Sequence, residues 1–366
     1  MTKKRSIRST KTPDQWNREM NKLDRQIVKL VQDRAKTYQK WLASAGVENH
    51  GWDSSWEADQ LTMAVSRSKG PLNEEALRSI IRELVSACRC LDRPRRICFL
   101  GPAYSYSHLA AVRKFGESTS MVPVGTIKAV FEEVNSGTCD FGLVPIENST
   151  DGRIVDTLDM LSRLPVKICG EVQLRIHHNL LARCERRDVT EVFSKPQALS
   201  QCRDWLSQHL PDAQLVAMTS TAKAAQLAAE KKGAAAIASA QAASRYGLQI
   251  LAASIEDNAD NVTRFAVIGD AVQKRTGQDK TSVMFEISHQ PGSLADIMNI
   301  FKRCSLNLTW IESFPMPGTK NEYLFFVECQ GHTTEVKVKR ALTALEKKAV
   351  RLEILGSYPR AEPEDT

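Results

Sequence analysis

The sequence predicts three successive units, an all-helical segment, then an α/β unit, then a small α+β unit, and three observations predict it. Residues 14–45 carry one long helical apolar stripe. From Ile97 the period changes, and short apolar strands alternate with helical stretches. Beyond a polar stretch at 271–280, strand and helix periods follow the order β-α-β-β-α-β. A length of 366 residues also exceeds what one hydrophobic core usually serves, so two or three domains are expected.

In the helical unit the stripe holds Trp16, Met20, Leu23, Ile27, Leu30, Val31, Tyr38 and Trp41 or Leu42, longer than an average surface helix needs. A second helical stretch follows Asp53, where Ser54 and Glu57 stand at capping-box spacing. A third runs from about Glu74 to Leu91, with Leu77, Ile80, Ile81, Leu84 and Cys88 on one face. Three helices dominated by one long member make a poor core, so pairing of chains as a homodimer or higher homo-oligomer is expected. Asp92-Arg93-Pro94-Arg95-Arg96 breaks the helix and closes a unit spanning 14–93.

In the α/β unit, 96–270, strands are expected at 97–100, 141–146, 190–194, 235–238 and 264–268, and helices at 128–135, 197–209 and 221–231. This alternation predicts mostly parallel strands, with ligands beyond their carboxyl ends. The segments around Gly101, Asn148, Ser194 and Thr263 lie at such ends or in the loops beside them. After a linker at 271–280 come strand 281–288, helix 293–303, strands 306–313 and 322–329, helix 334–348 and strand 351–355. This order fits a ferredoxin-like fold over 281–357.

Composition excludes several classes. With 42% hydrophobic and 25% charged residues the chain is not largely disordered. No apolar stretch reaches the roughly 18 residues of a membrane span, so no membrane partner is expected. The net charge of +7 hints at nucleic acid, but Lys3, Lys4, Arg5, Arg8 and Lys11 supply five of it in a leader with no acid before Asp14. The body is then close to neutral and no nucleic-acid partner is expected. The short leader, 1–13, reads as a solvated tail rather than a transit peptide. Nine scattered cysteines without Cys-x-x-Cys or zinc-type spacing read as free thiols in a reducing cytoplasm. His177 and His178 are neighbours, and on a strand they point to opposite faces, so no metal is implied.

The segment Asn261-Val262-Thr263-Arg264-Phe265 sets a hydroxyl beside a permanent cation at the start of an apolar strand ending in Gly269. It is preceded by Leu100-Gly101-Pro102 with Ser105-Tyr106-Ser107-His108-Leu109, by Val144-Pro145-Ile146-Glu147-Asn148-Ser149, by Ser194-Lys195-Pro196-Gln197-Ala198-Leu199-Ser200-Gln201-Cys202, and by Tyr246-Gly247-Leu248. In this order and spacing the set resembles prephenate dehydratase. Residues 14–93 look like an all-helical chorismate mutase domain and 281–357 like an ACT regulatory domain. Nearly the whole chain is thus similar to the bifunctional P-protein family of bacterial phenylalanine synthesis. The resemblance implies a two-lobed α/β dehydratase domain that converts prephenate to phenylpyruvate, water and carbon dioxide without cofactor or metal, under feedback by phenylalanine.

Prephenate carries two carboxylates and a ring hydroxyl, and the catalyst must help hydroxide leave without over-stabilising the carboxylate that departs. By resemblance Thr263 is the catalytic residue, a neutral donor strengthened by a dry, preorganised setting. Asn148, Gln201, Ser194 and Ser149 suit anchoring, and Ser105, Glu147, Gln197 and Phe265 complete the implied substrate set. Arg264 has two readings, a carboxylate ligand or a structural ion pair. The chain departs from the family at Tyr104, where Gly is usual, and at Lys195, where His is common.

A helical mutase must converge cations on its dianionic substrate. Arg34, on the apolar stripe, is a candidate, with Asp53 and Glu57 as further remnants of the pocket. The family's other first-helix cations fall at Asn17 and Ala45. Ala45 lies eleven residues past Arg34, nearly on the same face at roughly 100° per residue, whereas Lys40 points away. The second-helix Arg has become Trp56, and the third-helix Ser and Gln positions hold Cys88 and Asp92. In the last unit Gln290-Pro291-Gly292-Ser293-Leu294-Ala295 resembles the phenylalanine-binding loop, a turn that exposes amides before a helix. Glu312-Ser313-Phe314-Pro315 stands where Glu-Ser-Arg-Pro is usual. Two rivals remain at this point, a fully bifunctional enzyme with a pocket rebuilt around Arg34 and Arg18, and a non-catalytic amino-acid receptor. A paired assay with chorismate and prephenate separates them.

Overall fold

The computed structural model describes residues 11–45, 54–66, 68–91, 93–150, 152–315 and 323–366. Most of the 1–13 tail, Asp53, Asp92 and the side chains of Ala45 and Ser54 lie outside the described residues. The helical unit consists of α1 (Pro13–Ala45), α2 (Ser54–Ser66) and α3 (Glu74–Arg89). Asn73 caps α3 by accepting from the Ala76 amide. Only the later turns of α1 are partly covered. Met20, Leu23, Ile27 and Leu30 are 52 to 68% exposed, so half of the stripe has no cover within one chain.

The α/β unit has two lobes. The first opens with β1 (Arg96–Leu100), α4 (Tyr106–Phe115), β2 (Ser120–Val124), α5 (Ile127–Asn135), β3 (Phe141–Asn148), β4 (Gly152–Arg153), α6 (Val155–Arg163) and β5 (Lys167–Arg175). The second holds β6 (Asn179–Ala182), β7 (Glu191–Ser194), α7 (Pro196–Gln201), α8 (Arg203–His209), β8 (Gln214–Ala217), α9 (Thr221–Glu230), β9 (Ala234–Ala238), α10 (Ala240–Tyr246) and β10 (Gln249–Ala252). The chain then returns to the first lobe as β11 (Val262–Gly269). Two crossings, at 176–178 and 253–261, join the lobes. Small side chains let the second lobe close tightly: every residue of β9 is buried, and Ala224, Ala225 and Ala228 of α9 pack against it.

These sheets are mixed, not mostly parallel as the alternation suggested. β1 runs parallel to β2 and β3, and β7 to β8 and β9, but β11 is antiparallel to both β3 and β5. In the second lobe β6 is antiparallel to β9 and β10. The reason is the return crossing, which brings β11 back between β3 and β5 in the opposite direction.

Beyond it, β12 (Asp279–Glu286), α11 (Ser293–Arg303), β13 (Leu308–Pro315), β14 (Tyr323–Gln330), α12 (Val336–Glu346) and β15 (Arg351–Pro359) form a sheet of order β13-β14-β12-β15. Period-2 alternation splits its side chains. Val283, Phe285 and Val327 pack under α11 and α12, while Met284, Phe314 and Phe326 share a core with Val144, Ile168 and Ile268 of the first lobe. The approach of the two sheets is close enough that a Cβ on Gly356 would meet Ile168 O at 1.9 Å. A last strand, β16 (Pro363–Asp365), joins the first lobe beside β5, giving a seven-stranded sheet of order β16-β5-β11-β3-β1-β2 with β4 beside β3.

A candidate active site between the lobes

A cleft of about 640 Å³ opens between the lobes. Ser105, Asn148, Gln197, Gln201, Thr263 and Phe265 line it, together with Lys195, His178, Asn261, Tyr106, Ser107 and Thr221. Leu100, Pro145, Ile154 and Ile176 supply apolar wall. Register explains the convergence on the first lobe. Thr263 at the start of β11 pairs with Asn148 at the end of β3, and a bulge then shifts the pairing so that Phe265 meets Pro145. Pro145 and Asn148, three residues apart, therefore both reach the cleft.

The hydrogen bonds in this cleft have a direction that one backbone amide sets. Thr150 N–H donates to Asn148 Oδ1 at 2.9 Å, which turns Asn148 Nδ2 toward Asn261 Oδ1 at 2.9 Å and Thr263 Oγ1 at 2.7 Å. Asn261 must then donate through Nδ2 to Gln201 Oε1 at 3.0 Å. That oxygen also faces His178 Nε2 at 2.9 Å, so this ring nitrogen carries a proton. His178 Nδ1 meets the Tyr106 hydroxyl at 3.0 Å, and burial holds the Tyr106 phenol well above its ordinary pKa and keeps it protonated. Thr263 is thus an acceptor toward Asn148. Its own proton has no acceptor among the described residues and is available to the cleft.

The crossings are tied at the same place. Glu256 accepts from the His178 amide at 2.8 Å and bonds His177 Nδ1 at 2.7 Å. Ser105 caps α4, accepting from His108 N and donating to Leu100 O at 3.2 Å. Tyr104 adopts a positive φ of 65°, so the loop keeps a glycine-like path despite the side chain. Its amide donates to His108 Nδ1 at 3.1 Å. Among the described residues no group of three His, Cys, Asp or Glu is arranged to hold a metal.

Four expected substrate ligands are placed elsewhere. Arg264 points away from Thr263 and Phe265 because side chains alternate along a strand. It enters the space between the sheets, donating to Glu147 Oε2 at 2.7 Å, to Glu328 at 2.7 and 2.8 Å, and to Glu171 at 3.3 Å. Burial alone would lower the Arg264 pKa, but Glu328 and Glu171 outweigh it and hold the guanidinium above its ordinary value. Arg264 is an ion-pair residue, and Glu147 is one of its partners. Ser194 is fully buried and donates to Ile237 O at 2.7 Å, bracing β7 against β9. Ser149 accepts from Val262 N at 2.9 Å and donates to Asp260 O at 3.1 Å, fixing the turn before β11. Of the residues missed, Asn261 opens the Thr263 segment and the motif itself carried it. Lys195 follows the expected strand at 190–194, so the strand-end rule was an available signal there, whereas His178 and Thr221 follow β5 and β8, for which no strand was expected.

The helical candidates are tied to structure. Arg34 donates to Cys88 Sγ at 3.0 Å, and Glu57 receives both arms of Arg89 at 2.7 Å. Arg89 also reaches Phe115 O, so the pair fastens the helices to α4. Trp56 stacks on Trp41 at 5.7 Å beside Tyr38. In the small sheet Gly292, at φ 87°, precedes α11, whose first residues are Ser293, Leu294 and Ala295. Glu312 faces the first lobe and bonds Arg153 at 2.8 Å, Ser313 points to the other face, and Phe314 is buried between the sheets.

Residues 97–273 match the family prephenate dehydratase. A bifunctional chorismate mutase/prephenate dehydratase of Stutzerimonas stutzeri is 38% identical over 353 residues, covering 93% of this chain and 96% of that one. A solved prephenate dehydratase from Arthrobacter aurescens, in complex with L-Phe, is 33% identical with a TM-score of 0.69, covering 73% of this chain and 90% of that one. A second structure, described as GqqA, a novel type of quorum-quenching acylase, is 28% identical with a TM-score of 0.67, covering 73% and 98%. The extent and identity of the first match make this chain a member of the bifunctional chorismate mutase/prephenate dehydratase family.

Proposed function

We infer that this chain is a prephenate dehydratase in phenylalanine biosynthesis. The observation that carries this reading is the Thr263 hydroxyl, which accepts from Asn148 and keeps its proton for the cleft. In the reaction the bond from the ring to its carboxylate breaks and that electron pair enters the ring. The carbon–oxygen bond at the opposite ring carbon breaks, and hydroxide leaves. Thr263 donates a hydrogen bond to this oxygen as charge grows on it, and solvent supplies the proton that completes water. The side chains around Thr263 are neutral, so the charge growing on the leaving oxygen meets preorganised hydrogen-bond donors rather than a cation.

The α1–α3 unit is a mutase-like domain that has lost its reaction and serves association of two chains through the exposed stripe of α1. Residues 281–357 are an ACT domain whose Gly292 loop binds phenylalanine, with Glu312, bonded to Arg153 beside β3, in reach of the strand that bears Asn148. The enzyme works in the cytoplasm. The test is turnover by the purified protein of prephenate and of chorismate, with phenylalanine binding followed by calorimetry at millimolar concentration. Conversion of prephenate to phenylpyruvate is expected. Absence of that conversion, with hydrolysis of an acylated amine in its place, would move the chain toward the acylase reading of its second structural neighbour.

A further inference from the structure

Resting on the dehydratase reading, we propose that the amino end of α9, with Thr221 and Lys195, holds the keto-acid carboxylate of the substrate across the cleft from Thr263. The chemistry demands an anchor on that side. The leaving hydroxyl and the carbon bearing the two carboxylate-containing groups lie at opposite ends of the ring, so a hydroxyl placed at Thr263 sends both anions toward the second lobe. There β7 and β8 run parallel, and Lys195 and residues 219–221 leave their carboxyl ends side by side, with Met218 N donating to Ser194 O at 2.8 Å.

Three features of this corner suit an anion. Ser220 caps α9 by accepting from Lys223 N at 3.1 Å, and the amides of Thr221 and Ala222 in the first turn have no acceptor within the helix. Thr221 is 8% exposed and lines the cleft, yet its hydroxyl makes no hydrogen bond among the described residues. That hydroxyl opens onto the cleft, where water or a ligand oxygen completes it. Lys195 is the one Lys or Arg in the cleft lining and forms no ion pair among the described residues. The anchor therefore combines one cation, one hydroxyl and helix amides. It stands apart from the Asn148, Asn261 and Gln201 amides that orient Thr263.

Thr221→Val and Lys195→Met separate binding from chemistry. Each is expected to raise KM for prephenate roughly 10- to 100-fold, the span of one charge-assisted hydrogen bond, with kcat within about threefold. The Kd of phenylpyruvate, which keeps the keto-acid carboxylate, should rise by the same factor in calorimetry, whereas 1-phenylpropan-2-one, which lacks it, should bind all proteins alike. Thr221→Ser should restore affinity. Unchanged KM and phenylpyruvate affinity in both variants would overturn the anchor, as would equal losses for the two probes, which would mark a packing defect. Wild-type protein that binds phenylpyruvate through Thr221 and Lys195 but does not turn over prephenate would sink the dehydratase reading and leave the anchor standing. Failure of both binding and turnover would remove both.

Discussion

By resemblance the cleft and the helical unit both correspond to pockets for a dianion, the second with its cations replaced, and they treat their polar groups in opposite ways. In the cleft, Thr263 and Thr221 keep hydroxyls without acceptors among the described residues, and the Thr150 amide orients the chain of amides from Asn148 through Asn261 to Gln201. In the helical unit Glu57 is consumed by Arg89, Arg34 by Cys88, and Trp56 fills with a stacked ring the place where a cation is expected. The cleft leaves hydrogen-bonding capacity unspent, whereas the helical unit spends it on its own architecture. The test of this distinction is whether substitution moves turnover or stability.

The largest expected effect lies within β11 itself, where neighbouring residues belong to the two categories. Arg264→Met leaves Glu328, 0% exposed, and Glu171, 3% exposed, with Lys280 as their remaining cation. Breaking a buried ion network by removing one partner costs about 3 to 5 kcal/mol, so the denaturation midpoint should fall steeply while KM of the folded fraction stays put. A normal midpoint with a raised KM would return Arg264 to the substrate. Thr263→Ala should do the reverse, lowering kcat by about 10² to 10³ with little change in KM or melting, since it removes a donor used as charge develops. Near-normal turnover in a folded variant would strike Thr263 from the mechanism.

A smaller contrast is expected between the two reactions. Loss of the cations at Asn17, Ala45 and Trp56 removes interactions worth roughly 1.5 to 3 kcal/mol each. If only half of their sum is realised, chorismate conversion falls about a hundredfold or more. Purified protein that converts chorismate as fast as it dehydrates prephenate would erase the distinction between the regions. Restoring Arg at Asn17 and Trp56 with Lys at Ala45 should raise conversion, although the Trp56 change also gives up the stack on Trp41.

Much of this was legible because the informative residues are contiguous in sequence. Thr263, Asn148 and Gln201 sit in short segments at strand ends, and the ends of strands are where an α/β fold exposes side chains. Period-2 alternation was equally legible and by itself turns Arg264 away from Thr263. His178 and Thr221 were not, because each reaches the cleft from a segment without a pattern of its own. Strand direction was hidden too, since an apolar run such as 264–268 reads the same whichever way its neighbours point. Nothing in Pro363–Asp365, short and polar, announced a strand that rejoins the first sheet.

The smallest effect belongs to the joint between the two regions, where one carboxylate serves structure alone. Asp140, before β3, accepts from the Arg96 amide at 2.9 Å and pairs with Arg93 and with Arg95, the latter at 3.3 Å, pinning the segment that leaves α3. Burial alone would raise its pKa, but the amide and the two guanidiniums outweigh it and hold the carboxyl below its ordinary value. A carboxylate depressed in the folded state contributes stability above its unfolded pKa, about 3.9, and loses it as pH falls through the lower folded value. Asp140→Asn should therefore lower the denaturant midpoint at pH 7 by an amount worth about 1 to 2 kcal/mol, allowing for the exposed Arg93. The gap should persist at pH 5 and close below about pH 4, with dehydratase turnover unchanged throughout. A gap of constant size from pH 7 to pH 3 would assign it to packing, and the joint would then be held by shape rather than by charge.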